Sequence, residues 1–151
     1  MTRFRYLTVR SGTCVPDENA TGTCGLLELG PRKDPCRLLI DAGTGAISGM
    51  LAASIDPLTV DGVFLTHHHP DHSGELPALL QSLAYGSETL RKKDFWVYGG
   101  PGTKALFACW RRFYGSWIEG RKKSQTVVEK ISQLHMTEGP RRHLRTRDVI
   151  S

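Results

Sequence analysis

The sequence predicts an α/β chain, a mixed sheet with flanking helices, and three observations lead there. Short apolar and β-branched runs alternate with longer stretches of helical periodicity. Glycine and proline punctuate the connections between them. A dense histidine cluster follows one apolar run and precedes a leucine-rich stretch, the position at which layered α/β domains hold their sites.

Phe4 to Val9 alternates in the manner of a strand and runs into the loop Ser11-Gly12-Thr13-Cys14-Val15-Pro16. After a small, polar stretch from Asp17 to Gly25, Leu26–Leu29 reads as a second strand and Cys36–Asp41 as a third. The proline-stiffened turn Gly30–Pro35 makes these two an antiparallel hairpin. Asp41-Ala42-Gly43-Thr44-Gly45 ends the third strand on small residues, which predicts a close backbone approach. Ile47, Met50, Leu51 and Ile55 have helical spacing over Ala46 to Ile55, and Asp56-Pro57 closes that helix. Thr59 to Leu65 supplies the next strand, with Asp61 marking a turn inside the run.

Leucines 76, 79, 80 and 83 predict a helix over Glu75 to Tyr85, with Gly86 as its stop. Phe95–Tyr98 is an aromatic, β-branched strand, and Lys104 to Tyr114 a helix whose Phe113 is expected to pack in the core. The glycine-rich turn between them fits either an anion at the helix N-terminus or a plain strand-to-helix turn. Beyond Gly120 the aliphatic density falls. Arg121-Lys122-Lys123 is a basic run, Thr126 to Leu134 reads as weakly helical, and Val149-Ile150 as the start of a strand. Two regions result: residues 1–120 hold the predicted elements, and residues 121–151 are a basic segment without a defined one.

With 151 residues, 39% of them hydrophobic, the chain supports one modest core. It lacks the run of roughly 18 apolar residues that spans a bilayer. Met1 to Leu7 carries early charge and no leader-like apolar region, so a cytoplasmic, membrane-free protein is the default expectation. Cys14, Cys24, Cys36 and Cys109 form no CxxC pair and are expected as free thiols. The net charge of +5 divides unevenly, −3 over residues 1–75 and +8 over residues 76–151. That asymmetry favours polyanionic partners, against the plainer reading of a solvated surface.

Thr66-His67-His68-His69-Pro70-Asp71-His72-Ser73-Gly74 is the most informative stretch. His67 and His69 are one residue apart, so an extended backbone points both imidazoles the same way. Asp71 and His72 follow on a chain that Pro70 restricts. Imidazole with carboxylate suits zinc first, then iron or manganese.

His67-x-His69-x-Asp71-His72 resembles the signature of the metallo-β-lactamase superfamily. Four further stretches resemble the ribonuclease Z-like members: Ser11–Pro16 with Gly22–Gly25, Asp41–Gly45, Leu76–Leu80 after Ser73-Gly74, and Val97–Thr103. Together they cover about residues 6–115. The resemblance implies an αβ/βα sandwich with a one- or two-metal site at a sheet edge. His67 and His69 would ligate the first metal, Asp71 and His72 the second, and His68 would fill a variable position. Asp71 would also act catalytically, orienting the attacking water and accepting its proton.

A complete member adds a histidine, a bridging aspartate and a last histidine from a C-terminal half. His135, His143 and Asp148 do not match those positions. The chain is therefore expected to be an N-terminal half that holds zinc poorly by itself. The implied activity is metal-dependent hydrolysis of a phosphodiester, either RNA (tRNA 3′ processing) or a small substrate. A thioester, lactone or lactam hydrolase of the same fold is the second reading. The third is a non-catalytic chain that binds nucleic acid through residues 91–147, with Phe113, Tyr114 and Trp117 stacking beside Arg111, Arg112 and Arg121. A homodimer is compatible with the sequence and not specified by it.

Overall fold

A computed structural model describes residues 3–15, 17–18, 20–86 and 93–118, and the backbone of residues 126–130. Three strands, β1 (Arg3–Arg10), β2 (Cys24–Gly30) and β3 (Cys36–Ile40), form an antiparallel meander. Next to β3, the strands β4 (Gly62–Leu65), β5 (Phe95–Gly99) and β6 (Thr126–Lys130) extend the sheet in parallel. The six strands lie side by side in chain order. The helices are α1 (Ala46–Ala52), the single turn α2 (Pro70–Ser73), α3 (Leu76–Tyr85) and α4 (Thr103–Tyr114). Among the described residues, no helix is long and apolar enough to cross a membrane.

Strand partners in register share a face, so Leu7, Leu26, Leu39, Val63 and Val97 form one row. The last four of these are buried, and Leu7 packs against them. Met50 of α1, Leu76, Leu79, Leu80 and Leu83 of α3, and Phe107 of α4 complete this core. Burying each such side chain stabilises the fold by about 1.5–3 kcal/mol.

The opposite sheet face is also apolar. Tyr6, Leu27, Leu38 and Trp96 share one row, with Gly62 between the last two, and Ile40, Phe64 and Tyr98 share the next. Trp96 and Tyr98 stack with ring centroids 6.1 Å apart. On this face Tyr98 is buried at 4% exposure, while Tyr6 remains 54% exposed.

The predicted elements through Tyr114 are present, with shifted ends. α1 stops at Ala52, where Ser54 takes φ 58° and turns the chain. Asp61 stands just ahead of the strand: it exchanges hydrogen bonds with Arg37 through its backbone N–H (2.8 Å) and its carboxylate (3.0 Å), and β4 starts one residue later.

Two expectations are overturned. Residues 126–130 are a strand, not the start of a helix, because β5 offers a parallel edge and Thr126-Val127-Val128 is β-branched. Phe113 is 84% exposed rather than in the core. α4 ends one residue later, Gly115 turns the backbone at φ 61°, and Ile118 takes the buried place. The basic run at 121–123, residues 137–147, His135, His143, Asp148 and Val149-Ile150 lie outside the described residues.

Candidate metal centre

The site forms where β3 and β4 end side by side. β4 delivers Thr66 and the histidines; β3 delivers Asp41. Asp41 is 2% exposed and adopts φ 64°, a left-handed conformation that Asp tolerates better than most residues. Its backbone N–H donates to the Phe64 carbonyl at 2.8 Å, which locks it beside β4. The carboxylate accepts from the Thr66 N–H at 2.8 Å, from the Thr66 hydroxyl at 2.8 Å and from His72 Nδ1 at 2.8 Å. One buried anion thus organises two residues that lie 25 and 31 positions further along the chain.

These contacts assign the imidazole tautomers. An ionised carboxylate only accepts, so His72 carries its proton on Nδ1 and presents a bare Nε2. The Thr66 hydroxyl spends its one proton on Asp41, so toward His67 Nδ1, 3.1 Å away, it acts as an acceptor. His67 is then also the Nδ1–H tautomer with Nε2 free. Such outer hydrogen bonds orient metal-ligating histidines and raise their basicity.

Around this frame the rings gather. His67 lies 3.9 Å from His72 and 4.7 Å from His69, measured between ring centroids. His72 Nε2 is 3.4 Å from Asp71 Oδ2. Two donors at ordinary zinc bond lengths on a tetrahedral ion lie about 3.3–3.4 Å apart, so this pair fits one ion as it stands. Among the described residues, no three His, Cys, Asp or Glu side chains converge into a complete metal-holding set. The donors match zinc in type and proximity and fall short in number.

Backbone contacts hold the turn. The Thr23 N–H donates to the Asp71 carbonyl at 2.8 Å, the Gly43 N–H to the Thr23 carbonyl at 2.9 Å, and the Ala42 N–H to the His72 carbonyl at 2.7 Å. Gly43 is where the predicted close approach occurs: a Cβ there would meet the Asp71 backbone. The Ser73 hydroxyl lies 3.2 and 3.1 Å from the carbonyls of His68 and His69. Glu75 accepts from the Ile47 N–H at 2.9 Å, satisfying the first turn of α1 from across the loop.

His68 points elsewhere. Its Nε2 meets the Thr103 hydroxyl at 2.8 Å at the start of α4, where the glycine-rich turn packs Gly102 against its ring. Cys24 is buried beneath the site, and desolvation, then the Asp41 and Glu75 charges, push its thiol from 9.0 up to about 12. It stays protonated and is a poor metal ligand. All four cysteines are free, as expected.

Sequence reasoning named His67, His69, Asp71 and His72 as candidates and gave Asp41 and Thr66 no part in the site. A lone Asp after a strand and a Thr before a histidine carry little signal until the strands are paired.

Comparisons with known proteins agree with this architecture. At 40% identity over 62 residues, ribonuclease Z of Thermococcus kodakarensis matches 41% of this chain and 19% of its own length. Ribonuclease BN of Salmonella paratyphi B is 33% identical over 107 residues, which is 70% of this chain and 33% of that protein. The chain thus spans a third or less of these curated relatives. Human tRNase Z, short form, shares the fold with a TM-score of 0.66 at 18% identity, covering 89% of this chain and 47% of that one. Zinc-bound PqqB from Methylobacterium extorquens superposes with a TM-score of 0.56 at 18% identity, over 88% of this chain and 47% of that one. The family model of the metallo-beta-lactamase superfamily matches residues 21–106, which include β2 to β5 and the whole histidine cluster, and the chain belongs to that superfamily.

Proposed function

We propose that the protein carrying this chain is a metal-dependent phosphodiesterase acting on RNA, in the manner of ribonuclease Z. The observation that carries the reading is the cluster of His67, His69, Asp71 and His72 at the β4 end, its tautomers set by Asp41. Similarity to proteins named ribonuclease Z and ribonuclease BN supports RNA as the substrate. His67 and His69 would hold one ion, and Asp71 and His72 a second, with ligands from outside the described residues completing both. Zinc fits the donors best; it would supply Lewis acidity and bring the pKa of a water toward ~7.

The chain's own groups do the rest. Asp71 orients the attacking water and accepts its proton. Asp41 holds the His72 proton on Nδ1 and keeps its bare Nε2 aimed inward. The free thiols fit a reducing, cytoplasmic setting.

In the full-length protein, His67→Ala or Asp71→Ala is expected to abolish hydrolysis of bis(p-nitrophenyl) phosphate while leaving the fold intact. Turnover that persists in both variants would sink the assignment.

A further inference from the structure

We propose that Arg3, Arg5, Arg32 and Arg37 form a phosphate-binding site at the end of the sheet remote from the histidines. The four arginines, with Glu28 and Gly30, line a cavity of about 530 Å³. Arg37 lies near the start of β3 and Asp41 just past its end, which separates the two places by about 13 Å of extended chain. No charge is shared with the metal centre, and the proposal stands whether or not the chain belongs to a hydrolase.

Register explains how the basin is built. Glu28 on the central β2 pairs with Arg5 on one side and Arg37 on the other. Its carboxylate takes one hydrogen bond from each, 3.2 Å from Arg5 Nη1 and 2.9 Å from Arg37 Nε. Each guanidinium has five N–H groups, so both keep most of their donors while their planes are held in place. An ordinary ion-pair network on a sheet surface would account for this much.

It does not account for Arg3 and Arg32, which have no ion-pair partner among the described residues. Arg3 pairs in register with Gly30, where a Cβ would meet nothing within 4 Å, so the space beside it is open. Gly30 has φ 107°, a conformation that keeps side chains out and so preserves that opening. Arg32 follows in the turn between Pro31 and Pro35, whose rings limit the freedom lost on binding. The lining holds four arginines and one carboxylate, which pairs with two of them, and the nearby Asp34 lies 4.0 Å from Lys93. Guanidinium forks match phosphate oxygens in geometry as well as charge. The ligand is a phosphate group, from either a polynucleotide backbone or a small phosphate compound.

The test compares the full chain with Arg3→Gln/Arg32→Gln, which leaves both Glu28 bridges in place. A labelled single-stranded 12-mer of uridine is titrated by anisotropy between 50 and 200 mM salt, as conditions of the assay. The slope of log affinity against log salt should shrink by about 1.4 in the variant, about 0.7 per lost contact. In parallel, pyrophosphate should shift the Nε–H resonances of Arg5 and Arg37 in the wild-type chain and do so less in the variant. A changed slope assigns a polynucleotide; a pyrophosphate response with an unchanged slope assigns a small phosphate compound. An unchanged slope with no pyrophosphate response overturns the proposal. Should the double variant lose its fold, Arg32→Gln alone, in the turn, should shrink the slope by about 0.7.

Discussion

Replacing Gly43 with alanine tests how tightly the candidate centre is clamped. The added Cβ would stand 2.6 Å from the Asp71 carbonyl carbon and 2.7 Å from the Thr23 nitrogen, and nearer still to the Asp71 oxygen. Ordinary contacts of a Cβ start about an ångström further out, so backbone must give way. It has little room: the Thr23–Asp71, Gly43–Thr23 and Ala42–His72 hydrogen bonds, 2.7–2.9 Å long, all cross this point. Overpacking costs about 1–3 kcal/mol, and a broken buried hydrogen bond about 1–3 kcal/mol more. A loss of about 2–6 kcal/mol lowers the melting temperature by roughly 5–20 °C in a chain of this size. Thermal unfolding followed by circular dichroism measures it, with Gly100→Ala as the control, since a Cβ there meets nothing within 4 Å. Gly43→Ala melting within a degree or two of Gly100→Ala would refute the reasoning.

Asp41→Asn should destabilise the chain by about 2–3 kcal/mol, because the buried carboxylate accepts from Thr66 twice and from His72. The 15N shifts of the His72 ring should lose their pure Nδ1–H pattern, and an unaltered ring in a stable variant would contradict the assigned tautomer. Alkylation at pH 8 should modify the exposed Cys14 and Cys109 first, Cys36 more slowly because burial raises its thiol, and Cys24 only on unfolding. Because the Cys24 thiol sits near 12 when folded and ordinarily at 9.0, unfolding releases its proton above pH 9. Stability should therefore fall between pH 9 and 12, and a Cys24→Ala chain should show a shallower decline in denaturant melts.

Local pattern carried the reading wherever local physics decides the outcome. The β2–β3 hairpin followed from its turn chemistry, α3 from leucine spacing, and the tight approach at Gly43 from the absence of a Cβ. Residues 126–130 went the other way because their strand depends on the waiting edge of β5, a partner far off in sequence. Phe113 was misplaced because helical periodicity does not reveal where a helix overruns its core. Asp41 became visible as the organiser of the site only once β3 and β4 were paired. Charge counting hid the arginine basin altogether. Residues 1–75 total −3, yet the meander and its turn bring four of their cations to one cavity.

The clamp of Thr23, Ala42 and Gly43 on the Asp71–His72 turn also bears on when the site comes into being. Its donors are contiguous in sequence, but the bonds that hold them come from the segment before β2 and the loop after β3. Contacts of such long separation form late in folding, after loop-closure entropy has been overcome. A peptide of residues 66–74 would contain every ligand-type side chain of the cluster and none of its geometry. The cluster takes its shape only when the meander is in place, so damage to β2 or β3 would scatter it without touching a histidine.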